Sequence, residues 1–176
     1  MLNSNTNDTC QAQATILVVD DTPENLMVVS DLLRPAYRVR VAKSGARGLV
    51  LARSEPRPDL ILLDVMMPGM DGFAVLEELQ RDPGTSDIPV IFLTALDHEE
   101  DQLRGFRLGA VDYISKPILP PVVEARVRAQ LALKQVRDRL RNANTWLEAE
   151  VHRRMGENDL IQTVGIRALA HLAEIR

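Results

Sequence analysis

Apolar residues along this chain follow two alternating rhythms. Short, mostly β-branched or aliphatic runs occupy residues 15–19, 37–42, 59–64, 88–93 and 111–114. Between them apolar positions recur at helical spacing: Leu26, Val29, Leu32 and Leu33, then Leu49, Val50 and Leu51, then Phe73, Val75, Leu76 and Leu79. Period two to continuous runs predict strands, and the three-to-four spacing predicts helices. The punctuation agrees. Thr22-Pro23-Glu24 places proline and an acid in a first helical turn, where fixed φ and the helix dipole favour them. Ser44 is a candidate N-cap, Pro35 and Pro56 stop the first two helices, and Asp82-Pro83-Gly84 closes the third. A fourth helix is expected from Asp97 to about Leu108, before Gly109, and a long fifth one from near Leu119.

Five strands alternating with five helices imply right-handed crossovers and an α/β doubly wound parallel sheet, with strand order 2-1-3-4-5 as the common small solution. The run Leu60-Ile61-Leu62-Leu63 is apolar on both faces, as a strand covered on both sides must be. It ends on Asp64 and is followed at once by Val65-Met66-Met67-Pro68-Gly69-Met70-Asp71-Gly72. Strands one and three are neighbours in this order, so Asp20, Asp21 and Asp64 meet at their carboxyl ends. Thr94 and Lys116, at the ends of strands four and five, border the same crevice.

Composition narrows the possibilities. The chain has 176 residues, 45% hydrophobic and 26% charged, with a net charge of -4, so an obligatory nucleic-acid partner for the whole chain is disfavoured. Its one cysteine, Cys10, lies in a polar stretch, which fits a reducing compartment and a cytoplasmic protein. No apolar run reaches the roughly 18 residues a membrane span needs, and no signal peptide opens the chain.

Three carboxylates this close repel one another and call for a cation. An all-oxygen ligand set favours a hard ion completed by water or phosphate, the habit of Mg²⁺. Asp20 and Asp21 would hold it with one oxygen of Asp64, whose other oxygen would serve as a nucleophile toward phosphorus. Lys116 and Thr94 would contact the transferred group's equatorial oxygens. A phosphatase with an aspartyl nucleophile would want a second acid at the position of Met66. A flavin-type cofactor site would want a hydroxyl-rich loop where Asp20-Asp21-Thr22-Pro23 stands.

Asp20-Asp21, the segment from Leu63 through Gly72, Thr94-Ala95 and Lys116-Pro117 resemble the motifs of two-component response regulator receiver domains, over about residues 14–135. The resemblance implies a flavodoxin-like fold and phosphoryl transfer to Asp64 from a sensor histidine kinase or phosphotransfer protein. It implies Mg²⁺ held by Asp20, Asp21, Asp64 and the backbone carbonyl of Met66. It further implies Thr94 and Tyr113 as a switch pair, Lys116 on the phosphoryl group, and a cis bond at Lys116-Pro117. Met66 and Leu96, apolar at the flanking positions that tune self-hydrolysis in the family, imply a long-lived phosphoryl form.

Beyond that domain, Leu133, Val136, Leu140, Ala143, Leu147 and then Glu150 or Val151 step by three and four. This is a coiled-coil seam, and it predicts a parallel homodimer through the C-terminal helix. No Pro or Gly interrupts residues 122–155, and Gly156 is the expected C-cap. Eight basic residues between 126 and 154 (Arg126, Arg128, Lys134, Arg137, Arg139, Arg141, Arg153, Arg154) face three acids. Because they interleave with the seam, they read as a solvated face and not as a DNA-binding fork. Residues 164–174 resemble the opening helix of the HD-GYP domain, a cyclic di-GMP phosphodiesterase, without its His-Asp pair or GYP motif. The expected divisions are a disordered leader at 1–13, a receiver at 14–135, a coiled-coil linker at 136–157, and at 158–176 the start of an output domain truncated here. The competing outputs are a DNA-binding transcriptional regulator and a stand-alone adaptor.

Overall fold

The computed structural model describes residues 13–95 and 99–173, with side chains described for 13–95 and 103–155. The expected leader, Leu96 and the side chains of residues 156–176 lie outside the described residues. The chain divides into two units, Met1–Lys134 and Gln135–Arg176.

In the first unit β1 (Thr15–Val19), β2 (Arg38–Ala42), β3 (Leu60–Asp64), β4 (Val90–Thr94) and β5 (Asp112–Ser115) form one parallel sheet in the order β2-β1-β3-β4-β5. Helices α1 (Pro23–Leu33), α2 (Gly45–Ala52), α3 (Gly72–Arg81), α4 (Glu99–Arg107) and α5 (Pro120–Ala173) alternate with the strands. Successive strand residues point to opposite faces, so each strand feeds two cores. Leu17, Val19, Ile61, Leu63 and Phe92 pack with Leu49 of α2 and with Phe73, Val75, Leu76 and Leu79 of α3. Ile16, Val18, Leu60, Leu62, Ile91 and Leu93 pack on the other face with Leu26, Val29 and Leu33 of α1 and Val123, Val127 and Leu131 of α5. Arg40 on the edge strand β2 spans to the carbonyls of Leu51 and Ser54 at 3.1 and 2.8 Å, fastening that edge to the turn after α2.

Several element boundaries differ from expectation, each for a backbone reason. β2 starts at Arg38, because the Tyr37 amide donates to the Leu33 carbonyl at 2.9 Å and so closes α1. β4 starts at Val90, since Pro89 has no amide to give the ladder. β5 lies one residue later than expected, drawn on by the Lys116 amide donating to the Thr94 carbonyl at 2.7 Å. Val50 does not belong to the buried stripe of α2: it is exposed, and Gly45, Gly48, Leu49 and Ala52 form the buried face. Gly156 does not end α5, which continues to Ala173. A single glycine costs a helix interior only about 1 kcal/mol relative to alanine, and no proline follows to stop it. Among the described residues no helix is long and apolar enough to cross a membrane.

Candidate functional site

The carboxyl ends of β1, β3, β4 and β5 open into one crevice. β1 delivers Asp20 and Asp21, and β3 ends on Asp64. Ligand oxygens of all three lie within 4.8 Å of one another. Asp20 is fully buried and Asp64 is 4% exposed. The ammonium of Lys116 donates to Oδ2 of Asp20 at 2.9 Å and to Oδ1 of Asp64 at 3.0 Å. Thr94, also buried, ends β4 opposite Ser115 and is tied to Lys116 by the backbone bond just described. Lys116-Pro117 is cis, as is Glu55-Pro56. The first five expected site residues thus come to one place. Tyr113 sits farther along β5, half-buried against Phe92 and Phe106.

Electrostatics in the crevice are unbalanced. Burial pushes the Asp64 carboxyl above its ordinary value of 3.8, and the Asp20 charge adds to this. The Lys116 bond and attraction, with the backbone N–H of Met66, pull the other way. For Lys116, burial opposes the charge, but the bonds to Asp20 and Asp64 outweigh it and hold the ammonium above its ordinary value. One cation therefore sits among three carboxylates. An oxygen-only donor set with surplus negative charge and a water-accessible side suits a hard divalent ion.

Other residues hold the crevice in shape, and sequence reasoning did not single them out. Asn25, in the first turn of α1, donates its side-chain amide to both oxygens of Asp20, at 3.1 and 3.0 Å. The Thr22 amide donates to Oδ1 at 2.8 Å. Their signal was available: a residue one turn inside a helix that starts beside Asp20 faces back toward it. Behind Asp64 the chain approaches itself closely. A Cβ on Gly72 would stand 2.3 Å from the Asp64 carbonyl oxygen, so only glycine fits there. Asp71 then caps α3, its Oδ1 accepting from the Ala74 amide at 2.7 Å. A separate cavity of about 410 Å³ beside α1 and β2, lined by Pro23, Leu26, Met27 and Val41, includes none of the crevice residues.

Residues 16–128 match the response regulator receiver domain. This chain belongs to that family. The chain is 46% identical over 165 residues to a probable cyclic di-GMP phosphodiesterase of Vibrio cholerae, an alignment covering 94% of this chain and 37% of that protein. It is 46% identical over 129 residues to the response regulator PleD of Caulobacter vibrioides, covering 73% of this chain and 28% of that one. The chain thus spans only about a third of these relatives' lengths. Among solved structures, the chemotaxis protein CheY4 of Vibrio cholerae matches with a TM-score of 0.64 and 30% identity, covering 67% of this chain and 98% of that one.

Proposed function

We propose that this receiver is a phosphoacceptor whose Asp64 takes a phosphoryl group from the phosphohistidine of a sensor histidine kinase or phosphotransfer protein. The observation that carries this reading is the joint contact of Lys116 with Asp20 and Asp64, with Asp21 beside them, in one crevice. In the transfer an oxygen of Asp64 attacks phosphorus, the P–N bond to imidazole breaks, and the imidazole leaves with a proton. Lys116 and Thr94 border the same crevice, and each would offer a donor to the phosphoryl oxygens. Asp20, Asp21 and Asp64, with the Met66 carbonyl, would hold Mg²⁺, which supplies charge neutralisation for the incoming oxygens. Thr94 and Tyr113 form the switch pair that reports the state of Asp64 to the surface of α4 and β5.

The signal leaves through α5. From residue 133 onward Leu133, Val136, Leu140, Leu147 and Val151 lie exposed at heptad-like spacing. A stripe of that kind is self-complementary in a parallel two-stranded coil, so the working unit is a homodimer. The output fused to it is a cyclic di-GMP phosphodiesterase of the HD-GYP type, supported by the Vibrio cholerae relative, whose match extends along α5 beyond the receiver. Arg126 pairs with Asp112, Lys134 with Asp59, and Arg153 and Arg154 with Glu150. These pairings favour a solvated helix face over a nucleic-acid surface. A cytoplasmic site of action follows from the donor kinase. The test is labelling by acetyl phosphate with Mg²⁺. Wild type is expected to take label in base-labile form, and Asp64→Asn to take none while remaining folded. Label on another residue of Asp64→Asn removes the assignment.

A further inference from the structure

All three phenylalanines and one of the two tyrosines form one contiguous set of rings. Phe73, in the first turn of α3 just after Gly72, meets Phe92 of β4 edge-on at 5.3 Å between centroids. Phe92 meets its ladder partner Tyr113 at 5.4 Å. Tyr113 in turn meets Phe106 of α4 edge-on at 4.9 Å. The guanidinium of Arg104 lies 4.4 Å over the Phe73 ring, returning α4 to the start of the set. The rings therefore run from the loop behind Asp64 to the α4–β5 surface.

Gly105 stands between Arg104 and Phe106 and is buried. A Cβ there would lie 1.6 Å from the Tyr113 hydroxyl oxygen, 2.8 Å from its Cζ and 2.9 Å from Cε2 of Phe92. The tyrosine ring thus fills the space that the side chain of any other residue at 105 would take. The backbone of α4 is poorly placed to withdraw. Gly109, at φ +102, closes the helix with its amide donating to the Phe106 carbonyl at 3.0 Å, and the Ala110 amide donates to the Gly105 carbonyl at 3.0 Å. The Val111 amide then joins Val90 at 2.9 Å, so this helix end is fastened to β4. A methyl group at 105 displaces the ring before it displaces the helix. Glycine is a poor choice for a helix interior on propensity grounds, and here the steric need outweighs it.

We propose that Gly105 is the positioning residue for Tyr113: its missing side chain is the slot that lets the ring lie inward between Phe92 and Phe106. This rests on the reading of Tyr113 as the reporter of Asp64. It adds that α4, through the size of residue 105, sets which position of the ring is available to be reported. The ring leaves its slot in Gly105→Ala, and the link between Asp64 and the α4–β5 surface is lost, while the chemistry at Asp64 persists.

The experiment uses the full chain labelled with 3-fluorotyrosine, in a Tyr37→Phe background so that Tyr113 gives the one fluorotyrosine signal, distinct from those of beryllofluoride. In the parent, beryllofluoride with Mg²⁺ is expected to shift that signal. In Gly105→Ala the signal already stands at a solvent-exposed position without ligand, and beryllofluoride no longer moves it, although acetyl phosphate still labels Asp64. Urea unfolding supplies the second readout. Gly105→Ala lowers the midpoint when Tyr113 is present and leaves it unchanged, or raises it, in a Tyr113→Ala background. That pair of variants also decides the matter if Gly105→Ala alone does not fold. A ligand-free Tyr113 signal in Gly105→Ala that coincides with the parent's, or equal midpoint losses in both backgrounds, overturns the proposal. A parent that takes no label at Asp64 overturns the phosphoacceptor reading alone, and the ligand-free spectrum and the double-mutant comparison still decide the position of the ring.

Discussion

The crevice around Asp64 and the helix beyond Lys134 use the same two kinds of residue in opposite ways. In the crevice, charged groups are buried at the end of an apolar sheet: Asp20 and Asp64 are nearly inaccessible and share one ammonium. Along residues 135–155 the apolar side chains are the exposed ones, with Leu140 at 66% and Leu147 at 52%. The charges there pair within one or two turns of the same helix, as Arg153 and Arg154 do with Glu150. Each arrangement is costly for an isolated chain, by desolvated like charge in one case and by hydrated apolar surface in the other. Each cost is relieved by a different partner. The receiver's surplus negative charge calls for a cation, and in the dimer proposed above a second apolar stripe would cover the helix.

The comparison breaks most decisively on the helix. Leu140→Lys together with Leu147→Lys places charge at the centre of the seam. The expected result is complete loss of the dimer by light scattering, with acetyl phosphate labelling of Asp64 unchanged. A double variant that stays dimeric places the interface elsewhere. Next comes the crevice. Lys116→Ala removes the sole cation in contact with Asp20 and Asp64 among the described residues. Labelling is expected to fall roughly 100-fold or more, the scale of losing one fixed donor to a developing anion. Oligomeric state should not change. If labelling survives, Lys116 is an ion-pair partner and nothing more.

The two regions also differ in how far they could be read in advance. Sheet order and the meeting of Asp20, Asp21, Asp64, Thr94 and Lys116 follow from polar residues that end aliphatic runs, a pattern visible in one dimension. What escaped works through backbone or through absence. Tyr37 looked like a strand residue until its amide was found closing α1. Gly48 gave no apolar signal, yet it lets α2 approach Val19, where an added Cβ would stand 3.0 Å away. Gly105 is silent for the same reason. Gly156 misled in the other direction, because a stop signal without a following proline is weak against a long helix. Asn25 could have been read, since it lies one turn inside a helix that starts beside Asp20, but it carries no apolar or charged signal of its own.

A smaller effect sharpens the electrostatic half of the comparison. The Asp64 carboxyl is raised above 3.8 in the fold, chiefly by burial. A group whose folded pKa is raised favours the folded state when protonated. That contribution is present in full below 3.8 and is lost as pH rises through the folded value. In the metal-free chain, the urea midpoint of wild type relative to Asp64→Asn should therefore decline over that window and stay flat above it. Saturating Mg²⁺ should offset the decline at neutral pH. A flat difference from acid to neutral pH means that Lys116 already compensates Asp64 in full, and that no cation is called for there.

The least of the expected effects concerns register within the helix. A strict heptad continuing from Leu133, Val136, Leu140, Ala143 and Leu147 puts Glu150 and Arg154 in the seam. Two successive steps of four instead put Val151 and Met155 there. The Glu150 carboxylate accepts from Nε and Nη2 of Arg153 at 2.8 and 2.7 Å and from Nε of Arg154 at 2.8 Å. Those bonds hold its pKa below the ordinary 4.5. Val151 and Met155 stand exposed at 53% and 62%. Taking Glu150 and Arg154 into a dry seam would break that cluster for no apolar gain, so the seam of the proposed dimer is expected to pass to Val151 and Met155. This lengthens the repeat locally and unwinds the supercoil over those two steps. Single cysteines at 147, 151 and 155 in a Cys10→Ser background should cross-link between copies more efficiently than one at 150. Stronger cross-linking at 150 than at 151 would restore the strict heptad, and with it a uniform coil from the receiver outward.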